Sequence, residues 1–155
     1  MYSPEKYNTC DIKSFIEKCE RLNKTPYLDT PNFALKKDIE LLEQIVGETG
    51  VKIVANNYYA LKLKAEKVIG GGLNVYNSFA ANFYGLPIIA AENGVLNQTD
   101  FPVMTLRHCP MKSHLKADCK NCPFESGYTY QMESGQEFNL SRKKLSTCTF
   151  YLKRK

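Results

Sequence analysis

Apolar residues fall at helical spacing over residues 11–22, where Ile12, Phe15, Ile16, Cys19 and Leu22 share one face. Thr9 or Asp11 is placed to cap this helix. Residues 25–30 (T-P-Y-L-D-T) read as a short strand ended by Pro31, with Asp29 at its C-terminal end. A second helix is predicted over 34–46. Leu35, Ile39, Leu42, Ile45 and Val46 point inward, Lys36, Lys37, Glu40 and Glu43 outward, and Gly47 and Gly50 mark its end. The apolar run V-K-I-V-A (51–55) is a strand followed by Asn56-Asn57, and 58–66 is a short helix. Lys67–Ile69 begins another strand, interrupted by Gly70-Gly71-Gly72 and followed by 73–76. Ser78–Tyr84 is a short helix. P-I-I-A-A (87–91) is a strand ending in Glu92-Asn93-Gly94, and Pro102–Leu106 is the last strand of this part.

Strands and helices thus alternate at short spacing. The strands are compact apolar runs, as expected when both faces are covered, which is the signature of a parallel α/β architecture. Polar residues gather just after the strands: Asp29, Asn56, Asn57, Asn74, Asn77, Glu92, Arg107 and His108. In parallel α/β folds, sites form at those strand ends.

Beyond residue 106 the pattern changes. Residues 128–132 and 138–140 pair as a hairpin around Ser134-Gly135, and L-S-T-C-T-F-Y-L (145–152) is a third β-like run. The expected division is therefore 1–106, an α/β part, and 107–155, a cysteine-rich β segment. Charge follows the same division. Residues 107–155 carry ten Lys+Arg against four Asp+Glu, whereas 1–106 carry 11 against 12. A basic segment on a neutral scaffold points to an anionic partner such as RNA, or to an ordinary solvated surface.

The 155 residues suffice for one domain with a real core. No apolar run approaches the roughly 18 residues of a membrane span. The N-terminus lacks the apolar stretch of a signal peptide. The expected compartment is the reducing cytoplasm, where cysteines serve as metal ligands or free thiols more often than as disulfides.

Six cysteines are present, four of them within the last 47 residues, arranged C-x9-C-x2-C-x25-C: Cys109, Cys119, Cys122 and Cys148. Two thiolates at C-x2-C spacing grip one centre from a tight turn, and distant cysteines complete a tetrahedral set. Zinc and an iron–sulfur cluster both accept such ligands, as does a Cys3His zinc site using His108 or His114. The alternative is a set of free thiols. Cys19 lies on an apolar helix face and reads as a buried small hydrophobe. Cys10 sits at the start of the same helix.

Strand alternation would put His108 and Cys109 on opposite sides, so that Arg107 or His108 faces a strand-end pocket while Cys109 faces the metal. Asp29 and Glu92 are strand-end carboxylates of the kind used in acid–base chemistry, and equally common as turn or capping residues. Asp29, Arg107 and His108 are thus the catalytic candidates. Gly70-Gly71-Gly72 matches neither dinucleotide nor Walker spacing and marks a tight backbone approach more readily than a phosphate cradle. No serine or metalloprotease constellation is visible.

The blocks Y-L-D-T-P, I-V-A-N-N, V-I-G-G-G-L-N-V-Y-N-S and P-V-M-T-L-R-H-C-P, followed by C-x-x-C, resemble the collagenase-like peptidases of family U thirty-two. The likeness runs in order across about residues 11–152. It implies a TIM-like (β/α) barrel and a 4Fe-4S cluster held by four cysteines, matching Cys109, Cys119, Cys122 and Cys148. Family members hydroxylate RNA or ubiquinone precursors without molecular oxygen, and some are described as proteases. No proteolytic residues can be matched. A full barrel takes about 250 residues. The resemblance therefore implies a partial barrel beginning near the fifth strand, with the stretch between Phe83 and Pro102 compressed, that needs a partner chain or self-association. Three functions are in competition. The first is an iron–sulfur enzyme acting on RNA or a small aromatic substrate. The second is a peptidase. The third is a zinc-ribbon-like nucleic-acid-binding module without catalysis.

Overall fold

A computed structural model describes residues 1–89, 102–124 and 128–155. The chain forms two compact units, Met1–Val95 and Leu96–Lys155.

In the N-terminal unit, helix α1 (Thr9–Arg21) opens at Asn8, whose side chain accepts from the Asp11 amide and donates back to the Asp11 carboxylate. Asn8 takes the cap expected of Thr9 or Asp11, because it alone is extended with a side-chain oxygen facing the freed amides. Only Ile12 of the predicted stripe is fully buried; Phe15, Ile16 and Cys19 are half-buried and Leu22 is exposed. Strand β1 (Tyr27–Asp29) follows, then helix α2 (Lys36–Thr49). Asp38 turns inward on α2 because its carboxylate accepts the Leu35 amide at 2.9 Å. Gly47 lies within the helix, and the left-handed stop is Gly50 at φ 65°. Strand β2 (Lys52–Ala55), helix α3 (Tyr58–Lys62), strand β3 (Lys67–Ile69), a 3-10 turn (Gly71–Leu73) and helix α4 (Ser78–Tyr84) complete the unit.

The three strands pair in parallel in chain order, β1-β2-β3, with Leu28 opposite Ile53 and Val54 opposite Val68. Single parallel bridges extend the order outward, Tyr2 onto Leu28 and Ile88 onto Ile69. Each element therefore sits beside its sequence neighbour, as the alternation of short apolar strands with helices requires. Leu28, Leu42, Ile45, Ile53, Val54 and Ile69 form the core beneath the helices. The architecture is α/β, and the described sheet is not closed into a barrel. Of the strand predicted over 87–91, Ile88 is described as a bridge. Its end, with Glu92-Asn93-Gly94, lies outside the described residues.

The C-terminal unit is antiparallel. Strands β4 (Pro102–Leu106), β5 (Thr129–Gln131), β6 (Glu137–Lys144) and β7 (Cys148–Arg154) form one sheet in the order β4-β7-β6-β5. The predicted hairpin is β5–β6, with Tyr130 opposite Phe138 and Gly135 at φ 83° in its turn. Strand β4 departs from expectation. It pairs antiparallel with β7, Leu106 facing Phe150, and belongs with the cysteine segment. A boundary at 106/107 is thus replaced by one before β4. The apolar run P-V-M-T-L resembles a buried parallel strand in sequence, yet Val103 and Met104 are exposed. Among the described residues no helix is long and apolar enough to cross a membrane.

Candidate metal centre

Alternation along β6 and β7 sets one face of the antiparallel sheet. Phe138, Leu140 and Arg142 lie along β6, and Cys148, Phe150 and Leu152 along β7, in register as Leu140 opposite Leu152 and Arg142 opposite Phe150. Met111 and Phe124 come onto this face from the segment between β4 and β5 and close a small core with Phe138, Leu140, Phe150 and Leu152. Phe124 meets Phe150 edge-on at 5.3 Å between ring centres.

The chain reaches that core through a short helix, α5 (Pro110–Leu115), whose cap is Cys109 and whose first residue is Pro110. Proline there fixes φ and lacks only an amide that the first turn leaves unused. Lys116, left-handed at φ 50°, ends the helix after Leu115 and turns the chain toward Cys119 and Cys122. Cys109, Cys122 and Cys148 are all half-buried and pack against the core. Cys119 is exposed. All six cysteines are free thiols.

Three of the four thiols thus share one apolar surface, and they are electrostatically coupled. Burial pushes the Cys148 thiol above its ordinary pKa; Cys109 and Cys122 add to the rise, while Arg142 and Lys144 oppose it. Arg142 stands closest. Its Nη1 donates to the Cys122 sulfur at 3.2 Å, and its guanidinium carbon lies 4.5 Å from the centre of the Phe124 ring. Thiols are soft donors of the type that thiolate-bound metal groups use, but among the described residues their placement does not assemble such a set. Among the described residues no group of three or more donors stands close enough to hold a metal ion.

The catalytic candidates do not come together within either unit. Arg107 and His108 are exposed after β4, and His114 is exposed on α5. Cys109 is half-buried, but all three residues follow the end of β4, so strand alternation does not set their sides. The strand that precedes them is not part of the parallel sheet, because β4 belongs to the antiparallel one.

Asp29 lies in the N-terminal unit, at the end of β1. One carboxylate oxygen accepts from Ser3 Oγ at 2.7 Å and the other from Asn56 Nδ2 at 2.6 Å. Asn56 also donates to the Thr30 carbonyl at 2.7 Å, and the Thr30 hydroxyl donates to the Val54 carbonyl at 2.7 Å. Asp29 is therefore part of a clasp across the ends of β1 and β2. The glycine run serves the same clasp. A Cβ on Gly70 would fall 2.1 Å from Asn56 Oδ1, and one on Gly72 would fall 2.3 Å from the Asn56 carbonyl oxygen. The tight backbone approach, rather than a phosphate cradle, accounts for these glycines. Beside them, Asn57, Tyr58, Gly72, Asn74, Phe83 and Tyr84 line an open cleft of about 460 Å³.

Sequence reasoning missed Arg142 and gave Asn56 only as one polar residue among several at the strand ends. For Arg142 the signal was a charge at the next inward position of the alternation Phe138, Leu140, Arg142. Asn56 carried no signal beyond its place after a strand. No protein-family model, curated protein or solved structure matches this chain.

Proposed function

We propose that the C-terminal unit is a thiolate-held metal centre, best read as an iron–sulfur cluster on Cys109, Cys119, Cys122 and Cys148. In this reading the chain works as part of an enzyme that modifies RNA or a small aromatic substrate, as its resemblance to the collagenase-like peptidases implies. The observation that carries the proposal is the gathering of Cys109, Cys122 and Cys148 on one apolar surface, with the Arg142 guanidinium on the Cys122 sulfur. Cys119 is three residues from Cys122, on the same turn-forming segment, and would swing in as the fourth ligand. A bound cluster would supply one-electron chemistry or an open iron. Six free thiols accord with a reducing, cytoplasmic setting.

A partner chain or a second copy is part of this reading. Helix α4 buries none of its residues, and Phe79 and Phe83 on it are 84% and 79% exposed. Covering them and extending the open parallel sheet would complete a larger (β/α) body. Sedimentation should then show self-association or capture of a complementary half.

Anaerobic purification tests the centre directly. A brown protein with iron and acid-labile sulfide, whose colour is lost in Cys109→Ala, is the expected result. Stoichiometric zinc in a colourless protein would instead favour the zinc-ribbon-like module. One observation supports that second reading: Lys112, Lys116 and Lys120, all exposed, lie on and just after α5 within the cysteine segment, a surface suited to nucleic-acid phosphates. It predicts salt-dependent RNA binding without turnover. The peptidase reading has no arrangement of residues in its favour and rests on resemblance alone.

A further inference from the structure

The open cleft of the N-terminal unit, about 460 Å³ in volume, lies at the carboxyl ends of β2 and β3. Ligands of parallel α/β sheets seat at such strand ends, and small-molecule sites have volumes of about 300–1,000 Å³. Asn57 and Tyr58 follow β2, Gly72 and Asn74 follow β3, and Phe83 and Tyr84 come from α4. Among the described residues that line the cleft, none carries a charge. Tyr58 and Phe83 are 64% and 79% exposed, although rings of this size are normally buried. The Tyr84 hydroxyl lies 3.5 Å from the Tyr58 hydroxyl, to which it donates, and 3.4 Å from the Leu73 carbonyl. The bond to Tyr58, with burial, pushes the Tyr84 hydroxyl up to about 12, so it stays neutral at ordinary pH. Asn57 donates an amide hydrogen to the Asn32 carbonyl at 2.6 Å, which fixes the orientation of its side chain. Asn74 is exposed and left-handed at φ 53°.

We infer that this cleft binds a small uncharged aromatic ring that carries hydrogen-bonding groups on its edge. The inference gives the ring-bearing substrate of the proposed function a seat. It does not depend on the metal centre, because every residue it uses lies in the N-terminal unit. Charge separates the ligand classes. A carboxylate, phosphate or ammonium entering the cleft would shed water and meet no opposite charge from the described lining, which opposes its binding. A neutral ring sheds only weakly held water from its faces and gains contact with the aromatic side chains of Tyr58 and Phe83. Its edge meets groups that both donate and accept, the amides of Asn57 and Asn74 and the tyrosine hydroxyls. An aliphatic ligand of equal size fills the same space without a π-face. Such a ring arrives either as a free small molecule or as a base on an RNA strand. The chemistry inside the cleft is the same for both, and only contacts outside it differ.

The test follows backbone amide shifts of the full, metal-free chain by two-dimensional NMR, which also reports whether each variant is folded. Three probes share one shape: benzamide, neutral and aromatic; benzoate, its charged counterpart; and cyclohexanecarboxamide, which keeps the amide and lacks the aromatic face. Benzamide is expected to shift the amides of Asn57, Tyr58, Gly72, Asn74 and Tyr84. It should bind about tenfold or more tightly than benzoate and about fivefold or more tightly than cyclohexanecarboxamide. Tyr58→Leu should weaken benzamide about fivefold or more. Asn74→Gly suits the left-handed backbone and should weaken it about two- to tenfold. Should Tyr58→Leu fail to fold, Phe83→Leu, at a still more exposed position, takes its place. Uridine and single-stranded octa-uridylate separate the sources, and each result keeps the seat. Equal affinity assigns a free ring, tighter binding of the oligonucleotide that fades with salt assigns an RNA strand, and benzamide binding without uridine binding assigns a benzene-type ring. Benzoate or cyclohexanecarboxamide bound as tightly as benzamide would overturn the inference, as would shifts confined to residues away from the cleft or no shift up to the solubility limit. Iron or zinc uptake plays no part in these measurements, so failure of the metal centre and failure of the ring seat are read separately.

Discussion

Replacing Asn56 by alanine tests whether the N-terminal unit is held at its strand ends. The side chain donates to the Asp29 carboxylate at 2.6 Å and to the Thr30 carbonyl at 2.7 Å. A hydrogen bond to a charged group contributes about 1.5–3 kcal/mol and a neutral one about 0.5–1.5 kcal/mol. Thr30 is fully buried, so its carbonyl would lose that donor where water is scarce. Asp29 is half-buried and keeps the Ser3 hydroxyl, so solvent replaces part of what it loses. The expected cost is therefore about 2–4 kcal/mol, below the upper sum of the two bonds. The chain has no tryptophan, so urea unfolding is best followed by far-ultraviolet circular dichroism. A double-mutant cycle with Asp29→Ala isolates the shared bond and should give a coupling of about 1–2 kcal/mol. Additivity within about 0.5 kcal/mol would refute the clasp.

Two glycines should respond to alanine with opposite signs. Gly72→Ala drives a Cβ against the Asn56 carbonyl oxygen and should destabilise by about 1–3 kcal/mol, whereas Gly47→Ala, in the body of α2 with open space around it, should stabilise by about 0.5–1 kcal/mol; thermal melts of both variants decide. Phe150 is fully buried at the centre of the C-terminal core, and Phe150→Ala should cost about 3–5 kcal/mol and expose Cys109, Cys122 and Cys148 to alkylation together. In the metal-free chain, burial holds the Cys148 thiol in its protonated form, so its alkylation at mildly alkaline pH should lag behind that of exposed Cys119, as peptide mapping would show. The raised folded-state pKa gives a contribution that is whole below the unfolded thiol's pKa and is lost as pH climbs through the folded value, so stability should fall at alkaline pH, and less in Cys148→Ala.

Much of the parallel unit was legible because its signals are local. The runs around Ile53-Val54-Ala55 and Val68-Ile69 are too apolar for a half-exposed strand, and the helix at Ser78–Tyr84 has its Asn77 cap and Gly85 stop written beside it. The β5–β6 hairpin was legible for the same reason, with Gly135 at its turn. What was not legible is pairing at a distance. Nothing in P-V-M-T-L says whether its neighbour runs parallel or antiparallel, and its partner β7 begins more than 40 residues later. The cysteine spacing pointed to the set of thiols, but could not distinguish the exposure of Cys119 from the burial of the other three. Arg142 was hidden because it opens the basic run Arg142-Lys143-Lys144, which reads as surface until the register shows which face each residue occupies.

The pairing of β4 with β7 has a consequence for how a ligand would be acquired. Cys109 lies just beyond one strand and Cys148 opens the other, with Leu106 facing Phe150 between them. Two thiols 39 positions apart in sequence are thus brought to one surface by a hydrogen-bonded ladder and a phenylalanine core. Closing a loop of that length costs about 3 kcal/mol in chain entropy. Here folding of the sheet meets that cost in advance. Small zinc modules, by contrast, draw their fold from the metal and come apart when it is removed. If the proposed metal centre forms, the sheet does not depend on it: a chelator should remove the metal and leave the sheet folded.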